Sequence, residues 1–269
     1  MTQAPETTVV QLEQDGDWAT LWLNRPDARN AMSDALIQEL QACLDYVATR
    51  ADIRGLTVRG RGDVFCAGGD LKGFKDNFQN ARSRDEVIAD SSKMGHFFLT
   101  VRSMPQVVVF LVHGAAMAGG LGMACAGDMV IGVKDTRMAL TETAIGVVPA
   151  QIGRFIIERV GEFNARYIML TAQRFTAVEG KTFGLVDFLV DDVAAGEAKL
   201  AEIIGDVRRC APQANAATKR LLQANKELDS QAMIQYAGEL FADAVQSDEG
   251  REGVASFLEK RKPSWVQES

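Results

Sequence analysis

The chain has 269 residues, 47% apolar and 24% charged, with a formal net charge of −7 and a pI near 5.0. That length and composition supply an ordinary globular core. The acidic balance excludes nucleic acid and anionic membrane as partners, because both select a basic surface.

In chain order, Met1–Val10 has neither a basic start nor an apolar run, so no export signal is expected and the cytoplasm is the expected location. Trp18–Asn24 (WATLWLN) is rich in strand formers. Met32, Leu36, Leu40, Leu44 and Val47 recur at helical spacing. Ile53–Arg59 reads as a strand, followed by a Gly-rich loop to Gly69. Ser83 and Glu86 form a capping box that opens a helix towards Val101. Val107–Val112 (VVVFLV) and Met129–Val133 read as buried strands. Thr176 and Glu179 form a second capping box, and Gly184 can end that short helix. Val107–Gly127 carries no formal charge if His113 is neutral, which invites comparison with a membrane span. Its abundance of Gly and Ala predicts instead a strand, a turn and a small-residue helix. From Ala194 to Lys262 the pattern is almost entirely helical, broken at Pro212 and closed by Pro263. The reading is α/β: a core over residues 1–193 and a helical C-terminal region over 194–269. Cys43, Cys66, Cys125 and Cys210 form no C-x-x-C pair, and His96 and His113 lie far apart. Reduced thiols and no metal site are expected.

Three segments carry candidate chemistry. Phe65–Leu71 (FCAGGDL) puts small residues where a ligand can approach the backbone, although a plain turn has the same composition. Val112–Asp128 (VHGAAMAGGLGMACAGD) runs from a strand into a helix opened by Gly119 and Gly120. The free N–H groups of a helix start stabilise an oxyanion, although tight helix packing also selects small residues. Glu142, in Ala139–Pro149 (ALTETAIGVVP), has apolar sequence neighbours. A carboxyl in an apolar pocket has a raised pKa and exchanges protons near neutral pH, whereas most lone glutamates are exposed or ion-paired.

The order and spacing of FCAGGDL, VHGAAMAGG and TETAIGVVP resemble the enoyl-CoA hydratase/isomerase (crotonase) superfamily. The resemblance extends from LNRPDARNAM (Leu23–Met32) to FLEKRKPSW (Phe257–Trp265). It implies a spiral of ββα units, a helical C-terminal region that assembles trimers or dimers of trimers, and an acyl-CoA thioester substrate whose enolate the enzyme stabilises. By motif, Gly69 and Gly119 supply the oxyanion-hole N–H groups and Glu142 the acid/base. The resemblance places coenzyme A along Arg25, Ala28 and Arg29 and against Ala67, Asp70 and Leu71. It adds Phe257 and Lys260 of the same or an adjacent subunit. No metal or redox cofactor is implied, since CoA arrives with the substrate.

Two positions depart from the commonest pattern. Two-glutamate hydratases of the family carry their first catalytic glutamate three residues beyond the oxyanion-hole glycine of the second motif, where this chain has Gly122, and Glu142 matches the second. Pro149–Ile152 (PAQI) replaces a glycine-rich turn and resembles a branch of methylglutaconyl- and isohexenylglutaconyl-type CoA hydratases. Gly122, Gln151 and Arg154 are therefore candidate acyl-pocket residues, although a helix start and a solvated helix face would account for the last two. The leading expectation is hydration of a branched or bulky 2-enoyl-CoA with Glu142 as the one catalytic carboxylate. A Δ3-Δ2 enoyl-CoA isomerase is the alternative. A CoA-binding protein without catalysis belongs to a different class, and retention of Glu142 speaks against it.

Overall fold

The computed structural model describes residues 3–70 and 82–266. Strand β1 (Val10–Asp15) and β2 (Trp18–Leu23) form an antiparallel hairpin. Next come helix α1 (Asp34–Ala48), β3 (Gly55–Gly60), α2 (Arg84–Ser103) and β4 (Val107–Val112). They are followed by β5 (Ala115–Met117), α3 (Gly119–Ala126), β6 (Met129–Val133), β7 (Arg137–Ala139) and α4 (Gly153–Thr171). The chain continues through β8 (Phe175–Thr176), α5 (Ala177–Phe183), β9 (Phe188–Val190) and α6 (Val193–Arg209). It ends in α7 (Pro212–Ala224), α8 (Ser230–Gln246) and α9 (Asp248–Leu258).

One sheet has the order β1-β2-β3-β4-β6-β9, parallel except for the β1–β2 hairpin. A smaller sheet, β5-β7-β8, is extended by parallel bridges from Cys66 to Ala116 and from Gly69 to Met32. Each turn of the chain thus contributes a long strand to the first sheet, a short extended piece to the second, and then a helix. This is the expected ββα spiral.

The sequence of β4 shows why the large sheet is buried on both faces. All six residues of VVVFLV are buried. Val108, Phe110 and Val112 join the main core with α1 and α3, while Val107, Val109 and Leu111 pack with Leu200, Ile203 and Val207 of α6. Successive side chains of a strand point to opposite faces, so a continuous apolar run needs cover on both. The uncharged segment 107–127 resolves into β4, β5 and α3, and among the described residues no helix is long and apolar enough to cross a membrane.

Both capping boxes form, at Ser83–Glu86 and Thr176–Glu179, and Gly184 ends α5 with φ +92°. Met32 is not in the helix that its spacing suggested. Ser33 caps α1, and Met32 is spent on the bridge to Gly69. The helical part beyond residue 193 divides by packing: α6 covers the sheet, whereas α7 and α8 contain no buried residue within one chain.

A charged knot holds α7 to the body. The Glu158 carboxylate receives Arg102 of α2 at 2.5 Å, Lys226 at 2.6 Å and Arg154 at 2.9 Å. Burial pushes this carboxyl up, but the three cations outweigh it and hold it at about 2. Beside it, Lys219 of α7 donates to Asp128 at 2.6 Å and to the Gln106 carbonyl at 2.8 Å. The Glu158 pKa lies below its ordinary value of 4.5, so its stabilisation is full above that pH and is lost as pH falls towards 2. Glu158→Gln is expected to cost about 3 kcal/mol at neutral pH. In urea melts the gap from wild type should close as pH falls below about 4.5; a gap independent of pH would contradict this.

Candidate active site

The three sequence motifs become neighbours because the small sheet sets them edge to edge. Cys66 N–H donates to the Ala115 carbonyl at 3.0 Å, and Met117 N–H to the Cys66 carbonyl at 3.0 Å. At Gly68, φ +93° turns the chain over, a conformation that glycine adopts without steric cost. The Gly68 carbonyl then accepts from Met32 N–H at 2.8 Å, and Asp70 N–H donates to the Met32 carbonyl at 3.2 Å. The intervening Gly69 N–H is directed to the opposite edge, where no backbone acceptor among the described residues takes it.

On that edge lies the start of α3. Ala118 adopts φ +48°, ψ −124°, a strained conformation for a residue with a side chain. Its N–H is held by the Ala139 carbonyl at 2.8 Å, and its carbonyl accepts from Gly122 N–H at 3.0 Å, the first bond of the helix. The N–H of Gly119 therefore lies in the unpaired first turn, at the positive end of the helix. Gly119 rests on Met32: a Cβ at this position would lie 3.0 Å from the Met32 sulfur. Met32 thus touches Gly69 by its backbone and Gly119 by its side chain. Gly120 packs so closely on Cys66 that a Cβ would sit 2.7 Å from its sulfur. Tight packing accounts for the small residues at this helix start and leaves the first-turn N–H groups at its positive end.

Ala139 closes the third side. Ala139 and Leu140 are buried, and Glu142 follows as the residue before a 3-10 turn, Thr143–Ile145. The Glu142 carbonyl accepts from Ile145 and Val147 N–H at 3.1 Å each, and Thr143 Oγ1 donates to the Met169 carbonyl of α4 at 2.7 Å. The backbone beneath the carboxyl is thereby fixed. Oxygen Oε2 of Glu142 is buried and has no hydrogen-bond partner among the described residues. Burial raises the Glu142 pKa, against a smaller lowering by the N–H groups of Glu142 and Thr141. The apolar surroundings are not those suggested by sequence proximity, since Ile145 and Val148 are exposed.

The first loop joins the same assembly. Ala67 N–H donates to the Arg29 carbonyl at 3.0 Å, which sets Ala28, Arg29 and Ala67 side by side. Arg25 pairs with Asp70 at 3.1 Å and donates to the Ala31 carbonyl at 2.6 Å. Asn30, which sequence inspection did not single out, organises the loop. Its side chain accepts from Arg25 N–H at 2.9 Å and donates to the carbonyls of Arg61 and Val64, both at 2.9 Å. It is fully buried at φ +53°, a conformation in which Asn is overrepresented.

Other sequence candidates go elsewhere. Leu71 lies outside the described residues. Arg154 is exposed and pairs with Glu158 and Glu227 at 2.9 and 3.3 Å. It lines a charged cleft of about 310 Å³ with Arg102, Asp128, Lys219 and Lys226. Its charge is engaged by these two carboxylates. Gln151 donates to Ser91 Oγ of α2 at 2.9 Å. Gly122 is buried, and the space beside it is filled by Ile152. Phe257 is 82% exposed and Lys260 is exposed, and no hydrogen bond or ion pair among the described residues links either to the motif loops.

The small sheet thus gathers the Gly69 and Gly119 N–H groups, which have no backbone acceptor among the described residues, and the strand that leads into Glu142, whose Oε2 has no partner among them; unpaired donors and a buried carboxyl are the groups that oxyanion stabilisation and proton transfer require. Residues 14–268 match the family model of enoyl-CoA hydratase/isomerase. The chain is 33% identical over 257 residues to a putative enoyl-CoA hydratase of Thermus thermophilus, covering 95% of this chain and 99% of that one. It is 30% identical over 257 residues to a probable enoyl-CoA hydratase of Bacillus subtilis, covering 95% and 98%. Among solved structures, AtuE of Pseudomonas aeruginosa superimposes with a TM-score of 0.92 at 40% identity, covering 97% of this chain and 100% of that one. The chain belongs to the enoyl-CoA hydratase/isomerase family, within the crotonase superfamily.

Asn30→Ala removes a partner from three backbone groups and keeps a strained φ. It is expected to cost about 3 kcal/mol or more in urea denaturation. Asn30→Gly, which relieves the backbone but not the lost bonds, should recover part of that loss. Equal stability of Asn30→Ala and wild type would show that the loop is held by other means.

Proposed function

We propose that the protein hydrates a 2-enoyl-CoA thioester, with a branched or bulky acyl group, using Glu142 as its one catalytic carboxylate. The buried Oε2 of Glu142, without a partner among the described residues, on the strand bonded to the start of the Gly119 helix, carries this reading. Water beside Glu142 gives a proton to the carboxylate as its oxygen bonds to the β-carbon. The π electrons pass through the α-carbon to the thioester oxygen, and Gly69 and Gly119 donate to the resulting enolate. Glu142 then returns the proton to the α-carbon. The base of the first half is the acid of the second, and a pKa raised towards neutrality suits both roles. The steps draw on no cofactor beyond the CoA of the substrate. Hydratase names among the relatives and the PAQI segment support hydration of a bulky substrate.

A Δ3-Δ2 enoyl-CoA isomerase is the second reading, favoured by one observation: hydrocarbon of Ile152, not a carboxylate, stands at Gly122. Glu142 would then carry a proton between the α- and γ-carbons of the same enolate.

Glu142→Gln keeps the side-chain size and removes the proton exchange. Turnover should fall by about 10²–10⁴, while the thermal stabilisation by saturating acyl-CoA stays unchanged. The acid limb of wild-type kcat/KM should lie above the ordinary glutamate value, because protonation removes the base and burial raises its pKa. In heavy water, hydration yields a 3-hydroxyacyl-CoA deuterated at the α-carbon with loss of enoyl absorbance. A 3-enoyl-CoA that gains conjugated absorbance without gaining a hydroxyl, across short, long and branched chains, would establish the isomerase instead.

The reading includes assembly with further copies of this chain into a trimer or hexamer. Helices α7–α9 and the adjoining turn expose Leu222, Leu228, Ile234, Phe241, Val254 and Phe257, more apolar surface than a monomer ordinarily leaves to water. Sedimentation at micromolar concentration should give three or six copies, and a monomer would overturn this part.

A further inference from the structure

Two glycines on different helices are notched to receive the PAQI segment. At Gly95 of α2, a Cβ would lie 2.3 Å from Gln151 Oε1. At Gly122 of α3, a Cβ would lie 2.1 Å from Ile152 Cγ2 and 2.5 Å from Ile152 Cβ. The second overlap involves atoms at the base of a β-branched side chain, which cannot swing clear as the end of a flexible chain does. The segment is also pinned. Gln151 Nε2 donates to Ser91 Oγ, Gly153 N–H to the Pro149 carbonyl at 2.9 Å, and Ile156 N–H to the Ile152 carbonyl at 3.1 Å. Ile152 is 4% exposed.

The location gives this plug its consequence. Position 122 lies one turn beyond Gly119 on the same face of α3, and helical side chains lean towards the N-terminus. A side chain at 122 would therefore reach towards the N–H of Gly119, to which the proposed function assigns the oxyanion. Ile152 supplies hydrocarbon there. We propose that Ile152 is a specificity-determining residue: by filling the notch at Gly122 it closes that side of the site to a second carboxylate and its water, and so leaves all proton transfer to Glu142. The functional half of this inference rests on Glu142 being the acid/base; the packing half does not.

A double-mutant cycle separates the two. Gly122→Ala should lower Tm by about 5 °C through overlap with Ile152. Ile152→Ala should lower it by leaving a void, and the Gly122→Ala/Ile152→Ala protein should melt well above the sum of the two losses. Additive losses, or a Gly122→Ala protein as stable as wild type, would overturn the packing. For function, Gly122→Glu/Ile152→Ala should hydrate crotonyl-CoA at least roughly tenfold faster than either single variant. Gly122→Glu alone matching the double variant would show that Ile152 is not the determinant, and a double variant no faster than Ile152→Ala would overturn the functional half. A coupled melting cycle together with a fully active Glu142→Gln would instead sink the proposed role of Glu142 and leave the packing intact.

Discussion

The 2.8 Å hydrogen bond from Ala118 N–H to the Ala139 carbonyl joins the strained start of α3 to the strand that leads into Glu142. Ala118 cannot relax from its positive φ without giving up this bond or the first bond of the helix. On the other side, the turn at Gly68 presses against Met117 and Ala118, where a Cβ would lie 3.0 Å from the Met117 carbonyl oxygen. The small sheet therefore acts as a jig. It fixes the backbone around Gly69 and Gly119 and the strand that leads to Glu142 through main-chain bonds, which do not depend on mobile side chains. The large sheet has a different task. Its apolar strands, covered on both faces, provide the rigid base from which the short extended pieces project.

Glu142 and Glu158 show how environment assigns roles to one residue type. Both are partly buried. Glu158 meets three cations and is held at about 2, so it stays charged and ties α2 and α4 to the turn after α7. Among the described residues Glu142 meets no cation and its buried Oε2 has no partner, and burial raises its pKa. Desolvation acts in the same direction on both; the presence or absence of paired cations decides the sign of the net shift. The two carboxyls thus differ in their surroundings rather than in their chemistry.

Much of the architecture was legible in the sequence, for identifiable reasons. The strand β4, the helix α1 and both capping boxes have local signatures: a β-branched run, apolar residues at helical spacing, and Ser or Thr three residues before Glu. The short strands β5, β7, β8 and β9 have no such signature. Two or three residues carry no period, and they become extended only because a neighbouring backbone offers hydrogen bonds. The hairpin strand β1 was missed because it is mostly polar and only Val10 is buried.

The sequence by itself determined which groups are available for chemistry: two glycine pairs, one glutamate among apolar residues, and no carboxylate at position 122. Their order and spacing also determined the family. Only the tertiary structure decided which groups meet. Arg154 looked eligible for the acyl pocket and was drawn into the Glu158 knot, because ion pairing depends on what faces a side chain across space. Asn30 and Ile152 looked unremarkable. One became the polar hub of the first loop, and the other filled the notch at Gly122. Neither role is written in local sequence, because hydrogen-bond satisfaction and steric exclusion are properties of pairs, and folding alone brings the pairs together.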